Sequence, residues 1–109
     1  MKNEEAKIQA AIVKAYQDAG VFCFSVPNEA AGGNQIRQGQ MITMGLKPGV
    51  SDLIAFIPGR GVTFIEVKTA TGKQSPAQVR FQERCKDFGV EYHLVRSVQD
   101  ALNILEEQK

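Results

Sequence analysis

The sequence predicts one α/β domain: a small central mixed sheet flanked by helices, in the order α-β-β-β-α-β-α. Three observations lead there. Apolar residues recur at helical spacing in three segments, and four short apolar runs bounded by Gly, Pro or charged residues read as strands. The two kinds of segment are also interspersed along the chain, a pattern that places the central strands between covering layers on both sides. At 109 residues the chain has room for one core and not for two, so residues 1–109 are expected to form a single domain.

Residues 4–19 carry Ile8, Ala11, Ile12, Ala15 and Ala19 at helical spacing and are closed by Gly20, which predicts a first helix. Val21 to Val26 is an apolar run stopped by Pro27, a first strand. Residues 28–50 are rich in Gly, Gln and Asn with no strong period, and about 35–44 is a candidate short helix within them. A connection of that length in a compact domain is usually functional or mobile. Two strands follow, Ser51–Ile57 and Val62–Lys68, joined across Pro58-Gly59-Arg60-Gly61. Ser75-Pro76-Ala77-Gln78 is a strong helix start, with Ser as N-cap, Pro at the first helical position and Gln three residues after the cap. Ala77, Phe81, Cys85 and Phe88 are the expected buried stripe of that helix, which Gly89 ends. Glu91–Arg96 is the last strand, and Ser97 caps a final helix with Val98, Ala101, Leu102 and Leu105 inward.

Hydrophobic content of 43% and a charged fraction of 23% are those of an ordinary globular protein. No apolar run is long enough to cross a membrane and the N-terminus lacks the apolar core of a signal peptide, so the cytosol is the expected location, in a bacterial cell or a phage-infected host. Cys23 and Cys85 are isolated from one another and read as reduced core thiols. A net charge of +1 argues against a protein that coats nucleic acid by charge alone. It does not exclude a nucleic-acid enzyme, because carboxylates in a metal site offset basic residues elsewhere.

The charges in the hairpin do not fit simple core strands. Glu66 and Lys68 point to one face of their strand and Val67 to the other. Asp52 joins them only if the register allows it. An even turn over 58–61 would pair Ile57 with Val62 and set Asp52 opposite Val67, on the wrong face. The three residues therefore act together only with an odd loop or a bulge, which Gly59 and Gly61 can supply. Given that register, two carboxylates and an ammonium converge at one edge of the sheet. Such an oxygen set suits Mg²⁺ or Mn²⁺, held by Asp52, Glu66 and the Val67 carbonyl. Lys68 then serves as a point charge that orients water or stabilises a phosphoryl transition state. The plain alternative is a turn Asp beside the solvated face of a half-exposed strand.

Pro48-Gly49-Val50-Ser51-Asp52, then Phe64-Ile65-Glu66-Val67-Lys68-Thr69, then Gly72-Lys73-Gln74-Ser75-Pro76-Ala77-Gln78 together resemble the VRR-NUC nucleases, a branch of the PD-(D/E)xK superfamily. Gly89-Val90-Glu91-Tyr92, Arg96-Ser97, Ala101 and the Glu5, Ile8, Gln9 set of the first helix continue the pattern over nearly the whole chain. The proline of the superfamily's name is replaced by Ser51 before the first acid. The resemblance implies a restriction-endonuclease-like core, a divalent metal and DNA cleavage. Stand-alone members of this kind look like homodimers that resolve Holliday junctions, so branched DNA and a second copy of the chain are the expected partners, with no nucleotide cofactor and no membrane. The alternatives are a less selective nickase or flap nuclease, and a catalytically silent DNA-binding module.

By the same resemblance a glutamate of the first helix, here Glu5, approaches the metal directly or through water, with Gln9 in support. Glu4 and Glu5 equally suit the acidic first turn that favours a helix dipole. Gln78 is either the third residue of a capping box or an active-site neighbour orienting Lys68 or the phosphate, two roles that one side chain is not expected to serve at once. Arg37, Lys47 and Lys73 flank the loops around the site and are the expected phosphate contacts. His93 reads as packing or surface, and Met41 and Met44 as packing or dimer contacts. No base-reading helix or aromatic stacking platform is evident, so recognition by shape is expected.

Overall fold

The computed structural model of the protein describes residues 2–26 and 49–107. In chain order the elements are α1 (Lys2–Asp18), β1 (Phe22–Ser25), β2 (Leu53–Ile57), β3 (Gly61–Val67), α2 (Pro76–Asp87), β4 (Glu91–Val95) and α3 (Val98–Glu106). The expected order holds, with boundaries moved by one or two residues. The expected short helix at 35–44, with Met41 and Met44, lies outside the described residues.

The strands form one sheet in the order β1-β2-β3-β4. β1, β2 and β3 run antiparallel, and β4 lies parallel to β3, as the α2 crossover requires. One face of the sheet packs on α1 and α3. There Leu53, Ala55 and Ile57 of β2, Ile65 and Val67 of β3, Cys23 and Val95 meet Ile12, Tyr16, Ala101 and Ile104. The buried stripe of α1 is Ile8, Ile12 and Tyr16, while Ala11 and Ala19 are exposed. Apolar spacing alone misplaces that stripe because Ala is small enough to sit on either face, whereas the Tyr16 ring needs the core. Its hydroxyl, the one polar atom it must satisfy, donates to the Ala101 carbonyl at 2.6 Å and ties α1 to α3. In α3 the inward residue missed by the sequence reading is Ile104, and Leu102 is only half-buried.

α2 covers the opposite face over β3 and β4, where Phe81 packs edge-on against Phe64 and tilted against Tyr92. Cys85 is buried beneath it, and both cysteines are free thiols. Phe88 departs from its expected place: as the C-cap residue it turns away from the sheet and is exposed. Among the described residues no helix covers β1 and β2 on the α2 side of the sheet, where Phe22, Phe24 and Phe56 are exposed.

Candidate active site

The hairpin register decides whether Asp52 and Glu66 can meet. Ile57 pairs with Gly61 and Leu53 with Ile65, so the loop is Pro58-Gly59-Arg60 and odd in length. Continuing the ladder by one step puts Asp52 opposite Glu66, on the same face. Gly59 and Gly61 make the tight turn at φ 78° and 81°, a conformation costly for a residue with a Cβ.

Asp52 sits just before β2, where the backbone ladder to β3 stops. Its side chain replaces the missing strand bond: the Val67 N–H donates to Asp52 Oδ2 at 2.8 Å. The Asp52 carbonyl meanwhile accepts from the Val26 N–H at 2.8 Å, anchoring the residue to β1 as well. One carboxylate oxygen is thereby fixed to the backbone.

Glu66 is 1% exposed. Its Oε2 accepts from Gln78 Nε2 at 2.8 Å and lies 3.6 Å from Lys68 Nζ. Its Oε1 is buried and has no hydrogen-bond partner among the described residues. Burial first, then the Asp52 carboxylate, push the Glu66 acid up to about 8, against the opposing pull of Lys68.

Gln78 serves both roles that looked exclusive. Its Oε1 accepts from the Ser75 N–H at 2.8 Å, closing the capping box with Ser75 Oγ, while its Nε2 holds Glu66. A primary amide has an acceptor at one end and a donor at the other, so one side chain can cap the helix and face the site. The helix is locked in place by Gly49. A Cβ there would stand 2.2 Å from the Ala77 carbonyl oxygen, and its φ is 83°. Only glycine lets the Gly49–Asp52 segment press against the start of α2.

Around this centre lie residues the motif reading did not assign. Gln74 Nε2 bonds the Tyr92 hydroxyl at 3.1 Å and Gln82 Oε1 at 3.0 Å. Burial first, then the charge of Glu66, push the Tyr92 phenol up to about 12. The Arg96 guanidinium donates to the carbonyls of Thr69 at 2.6 Å, Ala70 at 3.3 Å and Gly72 at 2.8 Å, shaping the turn that follows Lys68. No local sequence signal pairs Arg96 with that turn, because the contact spans a whole crossover.

Among the described residues no hydrogen bond or ion pair joins Glu5 to Asp52 or Glu66. Glu5 is half-buried in the first turn of α1, and Gln9, one turn on, lines a shallow depression with Ser25, the residue paired to Leu53. That face of α1 therefore looks toward the Asp52 end of the sheet. Lys73 is exposed in the loop before α2, and Arg37 and Lys47 lie outside the described residues. His93 is not isolated. Its Nε2 is 2.7 Å from Glu91 Oε2, and Glu107 completes a group of three metal-capable side chains. Arg60 already occupies that group, paired with Glu91 and donating to the Ile104 and Glu107 carbonyls. The cluster is a charge-compensated clamp on the hairpin and the end of α3.

The family model for the VRR-NUC domain matches residues 3–99. A solved structure described as a VRR_NUC domain superimposes with a TM-score of 0.71 at 21% identity, covering 97% of this chain and 98% of its own. A second, described as a VRR_NUC domain protein, gives a TM-score of 0.74 at 17% identity, covering 94% of this chain and 85% of that one. No curated protein is similar to the chain at a significant level.

Proposed function

The chain belongs to the VRR-NUC family, and from that premise we propose that it is a Mg²⁺- or Mn²⁺-dependent, structure-selective endonuclease that hydrolyses phosphodiester bonds in branched DNA. A VRR-NUC domain is a nuclease-type DNA-processing module, so DNA is the substrate class. The observation that carries the reading is the cross-strand pair Asp52–Glu66, two carboxylates close together at the end of the ladder, with Glu66 Oε1 buried and without a hydrogen-bond partner among the described residues.

The donor set fits a hard divalent cation. Both acids stand on one face at the end of the ladder, and Glu66 Oε1 has no hydrogen-bond partner among the described residues. The Val67 carbonyl points to the same side of β3 as its N–H, which meets Asp52, so it faces this edge too. Glu5 is assigned the role of an outer ligand through water, as the family resemblance implies. When bound, such an ion screens the charge that builds on the phosphoryl group.

The protein's own groups do the rest. Gln78 fixes the orientation of Glu66 by holding Oε2, and the buried, unpartnered Oε1 is assigned to the metal. Lys68, 3.6 Å from Oε2, favours the ionised form of the buried acid without overcoming its burial, and has further protons to offer a phosphate oxygen. The Val67 N–H fixes Asp52. Arg96 holds the turn after Lys68, and so the base of its side chain. Lys73, with Arg37 and Lys47, is assigned to phosphate contacts. A homodimer suits a four-way junction, because a two-fold axis in the protein would match that of the DNA and set two sites on opposing strands.

The test is cleavage of a labelled four-way junction in Mg²⁺ or Mn²⁺ beside linear duplex and flap controls, with wild type and Lys68→Ala. Paired symmetric cuts, lost in the variant, are expected. Cuts confined to flaps or duplex would keep the chemistry and refute the resolvase assignment. Junction binding with no cleavage of any substrate would leave only a silent binding module.

A further inference from the structure

We propose that the open face of β1 and β2 is a track for an unpaired DNA strand, with bases stacked on Phe22, Phe24 and Phe56 and phosphates held by Arg80 and Arg84 of α2. The proposal rests on the assignment of the Asp52–Glu66 site to DNA cleavage, and the unpaired strand it names is the single-stranded arm of a branched substrate or the strand opened at the crossover of a junction.

Strand alternation puts Asp52, Ile54 and Phe56 on one face of the sheet, while Leu53, Ala55 and Ile57 fill the core on the other. Phe24 pairs with Ile54 and Phe22 with Phe56, so the three rings share the face of the acidic pair. From Asp52 they begin two residues along the strand, about 7 Å at the usual rise. Phe22 is 62% exposed, Phe56 43% and Phe24 38%. Their centroids lie 5.3, 5.3 and 6.0 Å apart, a single aromatic surface rather than scattered rings. Val62, opposite Phe56, extends it. An apolar surface of this size is costly to leave in water and marks an interaction site.

The charge beside it selects the occupant. α2 runs antiparallel to β3, with Gln78 over Glu66 and Phe81 over Phe64. Its Val79, Gln82, Glu83 and Lys86 flank lines a depression with Val90–His93, on the β4 side. At 3.6 residues per turn the opposite flank carries Ala77, Arg80, Arg84 and Phe88, turned away from β4 and toward the β2 side of the sheet. Arg80 and Arg84 are exposed and form no ion pair among the described residues. An aromatic floor with a cationic wall is the arrangement that holds single strands, because every base has a face to stack and every nucleotide a phosphate to pair.

The test is binding without chemistry. Fluorescence anisotropy with a short labelled oligo(dT) is measured in EDTA, beside a duplex of equal length. Wild type is expected to prefer the single strand. Phe22→Ala with Phe56→Ala should weaken it by about tenfold or more, Phe56→Tyr should retain it, and Arg80→Gln with Arg84→Gln should flatten its salt dependence. The chain has no tryptophan, so Phe56→Trp supplies a single indole, excited apart from the tyrosines, whose emission should be quenched by oligo(dT). Equal or tighter binding of the duplex, or oligo(dT) binding unchanged by loss of the rings, overturns the proposal. If the ring variant instead converts a dimer to a monomer in sedimentation with DNA binding intact, the face belongs to a second copy and the proposal also fails. Because no metal is present, an inactive enzyme that still binds oligo(dT) through these rings would refute the nuclease reading and leave the track standing.

Discussion

Glu66 shows what one side chain can decide. Buried on a strand, with one oxygen held by Gln78 and the other without a partner, it is destabilising when ionised and tolerable when protonated. Its acid is raised from the ordinary 4.5 to about 8, so between those values the folded metal-free protein keeps a proton that the unfolded chain has lost. The unfolded state then binds fewer protons, and stability falls as pH rises. The contribution is fully present below about 4.5 and lost as pH rises through about 8. Glu66→Gln keeps the shape and an acceptor for Gln78. Urea unfolding in EDTA should therefore find the variant more stable than wild type at pH 8, by on the order of a few kcal/mol, with the gap closing toward pH 5. Adding Mg²⁺ should raise the stability of wild type alone. A gap that does not change with pH would mean Glu66 is not strained by its burial. The motif alone marks Glu66 as the acid of interest, but the orphaned oxygen and the doubled use of Gln78 exist only once α2 lies over β3.

At the scale of elements, the site is a junction between the entry to β2 and the start of α2, and Gly49 sets the distance between them. Gly49→Ala adds a Cβ into the Ala77 backbone at a positive φ, and neither neighbour is a flexible side chain that can yield. The expected cost is about 2–5 kcal/mol, combining left-handed strain with overpacking, and Asp52 and Gln78 should be displaced together. Gly20→Ala is the control, since Gly20 also has a positive φ, 81°, but open space around it. It should lose only the backbone part, about 1–2 kcal/mol, with cleavage unchanged. Comparing the two by thermal melting and activity separates strain from contact; equal losses would mean that the contact with α2 contributes nothing.

Across the whole molecule, Arg60 ties the hairpin turn to β4 and to the C-terminal end of α3, where its charge also meets the negative end of the helix dipole. The partner it leaves behind, Glu91, is largely buried beside His93 and Glu107. Arg60→Ala should therefore cost about 3–5 kcal/mol, as expected when one member of a buried pair is removed, measured by urea midpoint at constant slope. Arg60→Met, which restores the apolar stem but not the charge, should recover little. A loss below 1 kcal/mol would show the clamp to be a surface ornament.

By itself the sequence determined the elements, because helix starts, glycine stops and strand runs are local chemistry: Ser75-Pro76 with Gln78 begins α2 as read, and Ser97 caps α3 with its hydroxyl on the Asp100 N–H. It also named the acidic pair, and it reduced the meeting of Asp52 with Glu66 to one question of register. Only the tertiary structure answered that question, since a loop one residue longer would have turned Asp52 to the other face. It alone likewise chose Tyr16 over Ala11 for the core, released Phe88, and left Phe22, Phe24 and Phe56 in the open. Whether an apolar residue is buried depends on what lies across from it, and a strand's own residues do not carry that information.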